Sequence, residues 1–323
     1  MTFWWRDDPP PWSLLLLPAE LLYRAGAALH RWRVRPARAR LPVISVGNLV
    51  VGGAGKTPVT LAIARRLIAL GRRPAVLSRG YGRLSQREMK VSPEMSADEC
   101  GDEPLLLARR GLSVFVGARR AALAEMAASS GADVLLLDDG LQHHALARDL
   151  DVVVADASNP LGNGCLLPRG PLREPIAALR RVRRGLLWLT RCDLPRHPRT
   201  QELIELSGFP LVESLFAASA DLRKKRAFLF AGIARPASFE ATARAAGAEI
   251  AGARWFRDHH RYRPRELEVV RREARKAGAD VIATTEKDFV RLPETAGITP
   301  VPVELRISRG EDALERGILE VLR

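Results

Sequence analysis

The sequence predicts an α/β protein: a doubly wound, mostly parallel sheet, a smaller second α/β domain, and an N-terminal helix that associates with a membrane. Three observations predict it. Short apolar runs, most of them β-branched, recur at 42–46, 74–78, 113–117, 133–138, 151–155 and 186–190, the mark of strands buried on both faces. Helical stretches lie between them, among them 56–70, with Pro58 near its first turn and Gly71 just past its end, and 118–130. That alternation builds parallel βαβ units. The first apolar run ends in a glycine-rich loop that opens a helix, which is where such sheets bind ligands.

The first element is residues 1–40. Residues 13–29 read SLLLLPAELLYRAGAAL, preceded by Trp4, Trp5 and Trp12 and followed by Arg31, Arg33, Arg35, Arg38 and Arg40. Pro18, Glu20 and Arg24 break the apolar run, so it is too short and too polar to span a bilayer. A secretory signal would carry its positive charge ahead of the run, and no small-residue cleavage site follows. A helix lying in the interface fits: aliphatic face down, tryptophans at headgroup depth, arginines on anionic lipid. The competing expectation is a helix packed on its own domain.

Residues 43–57 read VISVGNLVVGGAGKT, a strand, a glycine-rich loop, then Lys-Thr opening a helix. Backbone N–H groups of such a loop turn inward around phosphate oxygens, and the helix N-terminus adds partial positive charge. This is a phosphate loop, and it sharpens the larger domain, 41–220, to a P-loop (RecA-like) fold. The cradle comprises Val50, Val51, Gly52, Gly53, Ala54, Gly55, Lys56 and Thr57. Lys56 reaches the β- and γ-phosphates of ATP, and the Thr57 hydroxyl binds Mg²⁺. The chain has six lysines against 45 arginines, and one of the six stands where the loop needs it. The strict spacing requires glycine at position 50, where this chain has Val50; a lysine-bearing variant requires lysine at 51, where it has Val51.

Cys100-Gly101-Asp102-Glu103-Pro104 looks like a turn entering a helix. Asp102 is then either the helix N-cap or a carboxylate aimed at the ligand, able to take a proton from a substrate hydroxyl. The strand at 133–138 ends in Asp138-Asp139, the way a phosphate-loop enzyme presents a carboxylate to Mg²⁺. Two adjacent strand residues point to opposite faces, so one faces the metal and the other holds a water or an amide. Which is which stays open. Gln142, His143 and His144 follow at the same sheet edge and can line the cleft.

Asn159 opens a long glycine- and proline-rich loop through residue 175, in which Arg169 and Arg173 are candidate phosphate ligands. Proline and charge rise over 193–225, which predicts a boundary near 220. A second αβ pattern fills 221–323: a strand at 227–234, helices at 236–246 and 264–277, and a strand in 280–288 that brings Lys287 toward a phosphate. The loop Asp258-His259-His260-Arg261-Tyr262 gains meaning if a cleft brings it against Asp102, because a carboxylate orients a histidine and tunes its basicity.

A length of 323 residues and 47% apolar content fit one large or two medium domains with a full core. Cys100, Cys165 and Cys192 are widely separated and odd in number, which predicts a reducing compartment and no zinc or disulfide framework. A net charge of +14 calls for an acidic partner, either nucleotide phosphate, nucleic acid or an anionic membrane surface. Nucleic acid has the least support: aromatics are 6% and no binding signature is present.

Taken together, SVGNLVVGGAGKTP (45–58), SRGYGR (78–83), GDEP (101–104), DDGLQH (138–143), NPLGNG with LLPRGPLREP (159–175), FRDHHRY (256–262) and TEKDFVRL (285–292) resemble the tetraacyldisaccharide 4'-kinases, the lipid A 4'-kinases of Gram-negative bacteria. The resemblance runs from about residue 10 to 310. It implies a transferase that moves the γ-phosphoryl of ATP to the 4'-hydroxyl of a tetraacylated glucosamine disaccharide 1-phosphate. It implies peripheral, monotopic attachment at the cytoplasmic face of the inner membrane and a smaller domain closing over the nucleotide; it does not imply a protein partner. Carried over by motif, Lys56 and Thr57 hold phosphate and Mg²⁺, and Asp138 and Asp139 serve the metal and the catalytic geometry. Asp102 is the base toward the 4'-hydroxyl, with His259 rather than His260 as its partner. Gln142, His143, Asn159, Arg173 and Lys287 line the substrate or support the site. Arg169 departs from the family pattern, which more often has a small residue there.

Two other nucleotide-using classes compete. A phosphate-loop GTPase needs an Asn-Lys-x-Asp guanine reader, of which Thr190-Arg191-Cys192-Asp193 keeps only the aspartate. A targeting ATPase at the membrane needs a lysine at 51. A non-enzymatic membrane scaffold leaves Lys56, Thr57 and the two strand-end aspartates unexplained.

Overall fold

Strand residues that are apolar on both sides must be covered on both sides, and the larger sheet is built that way. The structure, a computed structural model, describes residues 2–323. After two short 3-10 turns the chain forms α1 (Leu17–Arg33), with Pro18 in its first turn, where a missing N–H leaves no bond unmade. The larger sheet takes β1 (Val43–Gly47), β2 (Pro74–Ser78), β3 (Met89–Lys90), β4 (Ser113–Val116), β5 (Val134–Asp138), β6 (Leu150–Asp156), β7 (Gly185–Thr190) and β8 (Leu211–Ala218). Between them run α2 (Lys56–Ala69), α3 (Ala97–Cys100), α4 (Asp102–Arg109), α5 (Arg120–Ser129) and α6 (Pro198–Ser207). The smaller sheet takes β9 (Arg226–Ala231), β10 (Glu249–Trp255), β11 (Val281–Thr285) and β12 (Ile298–Val301), with α7 (Pro236–Ala245), α8 (Pro264–Lys276) and α9 (Glu286–Phe289). The chain then forms β13 (Val303–Arg309) and α10 (Glu311–Val321).

The larger sheet has the order β13-β8-β7-β6-β1-β5-β2-β4-β3, and the smaller one β10-β9-β11-β12. In the larger sheet the seven strands from β8 to β4 run parallel, and β13 and β3 close the edges antiparallel. All pairings of the smaller sheet are parallel. Every residue of β1, β2, β5 and β6 is buried.

On one face of the larger sheet, Val59, Ile63 and Leu67 of α2 pack with Ile44, Val76 and Val152. Their four-residue spacing makes one helical stripe, and each is fully buried, worth about 1.5–3 kcal/mol apiece. The opposite face is covered by α5 through Leu123 and Ala127 and by α6 through Leu203. In the smaller sheet, Phe239 and Ala243 of α7 cover one side and Leu267, Val270 and Ala274 of α8 the other.

Three expectations change. The segment 193–225, read as a boundary, contains α6 and β8, and β8 belongs to the larger sheet. Of the segment 221–323, β13 and α10 return to that sheet: β13 pairs with β8, and Leu314 and Ile318 join its core. Asp102 is not an N-cap. Gly101, at φ 94, occupies that position, and Asp102 is the first residue of α4. A left-handed cap suits glycine; Asp102, one residue on, accepts from Glu103 N with Oδ1 at 3.1 Å, and only its Oδ2 is left for other partners.

Candidate active site

β1 lies between β5 and β6, so the loop after it opens where the strand order reverses, at the carboxyl edge of the sheet. Gly47 ends β1 against Leu141, whose Cβ lies 2.5 Å from where a side chain at 47 would begin. Only glycine permits that approach. Gly55 closes the loop at φ 89, and an added Cβ would stand 2.9 Å from the Phe216 ring. The two valines find a different use. Val50 is 4% exposed and forms an antiparallel bridge with Leu172. Val51 N donates to Pro171 O at 2.8 Å, and Arg173 N to Leu49 O at 2.7 Å. The first half of the loop is therefore pinned to 171–173 by one isolated bridge and two flanking backbone bonds, with no left-handed residue at 50 to require glycine.

That pairing delivers Arg173. Its Nη1 donates to Asp139 Oδ1 and Oδ2 at 2.9 and 2.7 Å and to Gln142 Oε1 at 3.2 Å. Lys56 Nζ donates to Asn48 Oδ1 at 3.0 Å and lies 3.5 Å from Asp139 Oδ1. Gln142 Nε2 donates to Asn48 O at 3.0 Å and to Glu174 Oε2 at 3.3 Å. Burial works against the charge of Asp139, but Lys56 and Arg173 outweigh it and hold the carboxyl below its usual range. Asp138 is the opposite case. It is 2% exposed, accepts one bond from Ser78 Oγ at 3.2 Å, and leaves Oδ1 without a partner among the described residues. Burial, then the charges of Glu103 and Asp139, raise it to about 7.

A second cluster joins the two sheets. His259, on a left-handed turn at φ 57, brings Nδ1 to 3.1 Å from Asp102 Oδ2. The contact is close but off the line of an aligned hydrogen bond, so Oδ2 has no donor among the described residues. His259 Nε2 lies 3.2 Å from Lys287 Nζ, which also donates to Glu103 Oε1 at 3.0 Å. Arg291 Nε lies 3.6 Å from Asp102 Oδ2. Asp102 is 5% exposed. Burial alone would raise it, yet His259, Lys287 and Arg291 hold it down at about 2. A lysine facing Nε2 makes that nitrogen the acceptor and puts the imidazole proton on Nδ1, toward Asp102. His260 turns away: it stacks on Phe256 at 4.7 Å and meets Glu266 at 3.1 Å.

The remaining candidates divide. His143 is held near 4 by burial and by Arg120 and Arg148, and its Nε2 has no partner among the described residues. Asn159 is not brought to the loop: its side chain donates to Trp5 O at 3.2 Å and accepts from Gly162 N at 2.8 Å. Arg169 meets Glu20 of α1 at 3.2 Å. Sequence reasoning passed over Glu174, which accepts from Arg31 of α1 at 3.0 Å and Arg181 at 2.5 Å. Burial disfavours its charge, but His144 and Arg181 hold it at about 2. It also passed over Arg120, lowered to about 10 by burial. The string SRGYGR was the available signal for the arginines crowding that group, Arg79 and Arg83.

The first helix packs by one face only. Tyr23 Oη donates to Arg173 O at 3.0 Å, alongside the Glu20 and Arg31 contacts. Between α1 and the 166–175 segment lies a cavity of about 250 Å³ lined by Tyr23, Arg24, Ala27, Arg31, Arg173 and Glu174, among others. On the exposed side of α1 Leu22 is 75% exposed and Trp32 81%, and in the 3-10 turn before it Leu15 is 83% exposed. No helix of the described residues is long and apolar enough to cross a membrane.

Comparison with known proteins gives a consistent answer. The model of the family LpxK, tetraacyldisaccharide-1-P 4'-kinase, matches residues 12–323. A protein of Anaeromyxobacter dehalogenans (strain 2CP-C) named tetraacyldisaccharide 4'-kinase is 48% identical, over 98% of this chain and 93% of its own. One of Methylobacterium sp. (strain 4-46) with the same name is 42% identical, over 99% and 96%. The solved structure of LpxK from Aquifex aeolicus in complex with ATP superposes with a TM-score of 0.76 at 26% identity, covering 96% of this chain and 99% of that one.

Proposed function

Because this chain belongs to the tetraacyldisaccharide-1-P 4'-kinase family, it is an ATP-dependent kinase of lipid A biosynthesis, and we propose how its residues divide the work. It transfers the γ-phosphoryl of ATP to the 4'-hydroxyl of a tetraacyldisaccharide 1-phosphate. Residues 50–57 cradle the triphosphate. Lys56 leaves Asn48 for the β- and γ-phosphates, and Arg173 and Lys287 add positive charge where the transferred group is most negative.

The donor set fits Mg²⁺. Asp138 keeps a buried carboxylate oxygen unpartnered and raised toward neutrality, a state that a divalent cation relieves. Thr57 follows Lys56 at the start of α2. The described residues contain no cluster of three or more His, Cys, Asp or Glu poised for a metal, so phosphate and water would complete the shell, as Mg²⁺ prefers. Mg²⁺ held by Thr57 and Asp138 would neutralise charge on the β- and γ-phosphates. Asp139, fixed by Arg173 and Lys56, keeps the loop in register.

Asp102 takes the proton from the 4'-hydroxyl. The single observation that carries this reading is the 3.1 Å meeting of Asp102 and His259, supplied by different sheets. An aspartate at about 2 is a weak base in the ligand-free protein. It gains basicity once Lys287 turns to phosphate, and the hydroxyl turns acidic as its bond to phosphorus forms. His259 orients the carboxylate, which becomes a neutral acid when it takes the hydroxyl proton. Closure of the smaller unit, proposed as residues 221–302, brings His259 and Lys287 to the nucleotide.

The acceptor enters beside α1. Its cavity joins an alanine wall to Arg24, Arg31 and Arg173, chemistry suited to an amphipathic anion. The bare leucines and Trp32 rest in the bilayer interface at the cytoplasmic face of the inner membrane, with flanking arginines on anionic lipid.

Purified protein with γ-labelled ATP, Mg²⁺ and the disaccharide 1-phosphate in detergent micelles should yield labelled lipid, and a chelator should abolish it. No labelled lipid from folded protein would overturn the reading, and labelling undiminished by chelation would remove the metal.

A further inference from the structure

Beyond the catalytic cluster, the outer wall of the phosphate loop is braced from three directions. Thr190 Oγ1 donates to Ala54 O at 3.0 Å, and Arg191 Nη1 reaches Gly53 O at 3.4 Å. Between them Ala54 N turns back to Gly52 O at 3.1 Å, and because the carbonyl and the following N–H of a trans peptide point oppositely, the outward Ala54 O turns the Gly55 amide toward the phosphate side. Arg191 is fixed in turn by Asp156 Oδ2 at 2.7 Å. Asp156 ends β6 and is 3% exposed. The same oxygen takes Arg235 Nη1 at 2.5 Å, and Arg235 immediately precedes α7 on the smaller sheet. The Arg235 guanidinium lies 4.5 Å over the Trp5 ring, and that ring stands 3.4 Å from where a Cβ at Gly52 would be.

We propose that Arg235 is a positioning residue for the nucleotide: through Asp156 and Arg191 it fixes the Gly53 carbonyl, and with it the tight turn that leads into Ala54 and Gly55, and Trp5 holds it there. The smaller sheet and the N-terminal segment then both contribute to ATP affinity without touching ATP. The proposal rests on reading residues 50–57 as the ATP cradle.

The test uses the full-length enzyme, with the Kd of a non-hydrolysable ATP analogue measured with Mg²⁺ and KM measured for ATP and for the acceptor. Arg235→Ala should raise the analogue Kd and the ATP KM about tenfold, the loss of one charge-assisted bond, with the acceptor KM unchanged. Arg235→Lys should recover part of the loss. Trp5→Leu should weaken ATP about threefold alone and add nothing to Arg235→Ala, because Trp5 acts through Arg235. An ATP KM within twofold of wild type in Arg235→Ala, or an equal rise in the acceptor KM, would overturn the proposal. If Arg235→Ala does not fold, Arg235→Lys and Trp5→Leu decide by the same readouts. Lys56→Ala separates the two layers: if it leaves the analogue Kd unchanged the cradle reading fails, whereas weakened binding there with an unaltered Arg235→Ala sinks this proposal alone.

Discussion

Replacing Val50 by glycine would restore the strict glycine spacing of a phosphate loop, and it should damage this protein. Val50 is 4% exposed and packs among Leu49, Leu141, Leu161 and Leu172. Losing a buried valine side chain forfeits about 1.5–3 kcal/mol, and glycine in an extended segment costs about 0.5–1 kcal/mol more in backbone entropy. The sum is about 2–4 kcal/mol, and at about 2 °C per kcal/mol for a chain of this size the melting temperature should fall about 4–8 °C. The damage should reach the nucleotide too. Val50 bridges Leu172, beside the Arg173 that holds Asp139, so a looser strand leaves Asp139 and Lys56 less well placed and raises the ATP KM. Thermal melts of wild type, Val50→Ala and Val50→Gly, with ATP titrations on each, should show graded loss in both readouts. A Val50→Gly protein that melts no lower and binds ATP as well or better would refute the argument that the loop is pinned by its apolar side chains.

Other outcomes follow from the same geometry. Asp102→Ala should lose about 10²–10⁴-fold in kcat with the ATP KM little changed; initial rates at saturating ATP measure it, and an unaltered kcat removes Asp102 from the base role. Asp138 is raised from 3.8 to about 7, so between about pH 4 and 7 the folded state holds a proton that the unfolded chain has released, and this group's contribution to stability falls as pH rises. Asp138→Asn should therefore gain on ligand-free wild type between about pH 4 and 7, by at most on the order of 4 kcal/mol at about 1.4 kcal/mol per pH unit; denaturant melts showing a pH-independent difference would contradict it. Leu15→Asp with Leu22→Asp should weaken sedimentation with anionic vesicles at least about tenfold, since each leucine carries about 1.5–3 kcal/mol of burial, and unchanged sedimentation would move the membrane contact elsewhere.

Much of the larger sheet was legible because strands covered on both faces leave a plain mark. The apolar runs at 74–78, 133–138 and 186–190 became strands within a residue or so of those limits. β8 was hidden by its own polar residues. Glu213 and Ser214 look like a break in an apolar run, but Arg196 meets Glu213 at 2.8 Å and Trp188 donates to Ser214 Oγ at 2.9 Å, so both are buried and paired. β13 was missed because it is a half-exposed edge, VELRISR. In the site, Lys56, Asp102, Asp138 and His259 stood out as residue types in suggestive strings. Of their supports Arg173, Gln142 and Lys287 were named as well, but Glu103, Glu174, Asp156 and Arg235 were not. Glu103 meets Lys287 across 184 positions and Asp156 meets Arg235 across 79, and pairings that distant leave no local pattern. Asn159, named as lining the substrate or supporting the site, bonds the Trp5 carbonyl, a contact that no local sequence pattern announces.

The return of β13 and α10 to the larger sheet also has a meaning for synthesis. The smaller sheet is complete by residue 301, before the larger one has its final edge strand or the helix that covers Leu150 and Leu186. A nascent chain therefore finishes the inserted unit first and holds the older, larger unit open, with apolar strand faces uncovered, until Leu314 and Ile318 arrive. Contacts this distant in sequence form late, so the ATP-binding half of the enzyme closes its core only after the half that carries His259 has been made. A chain cut short between residues 302 and 310 would carry a complete small sheet on an unfinished, aggregation-prone nucleotide domain.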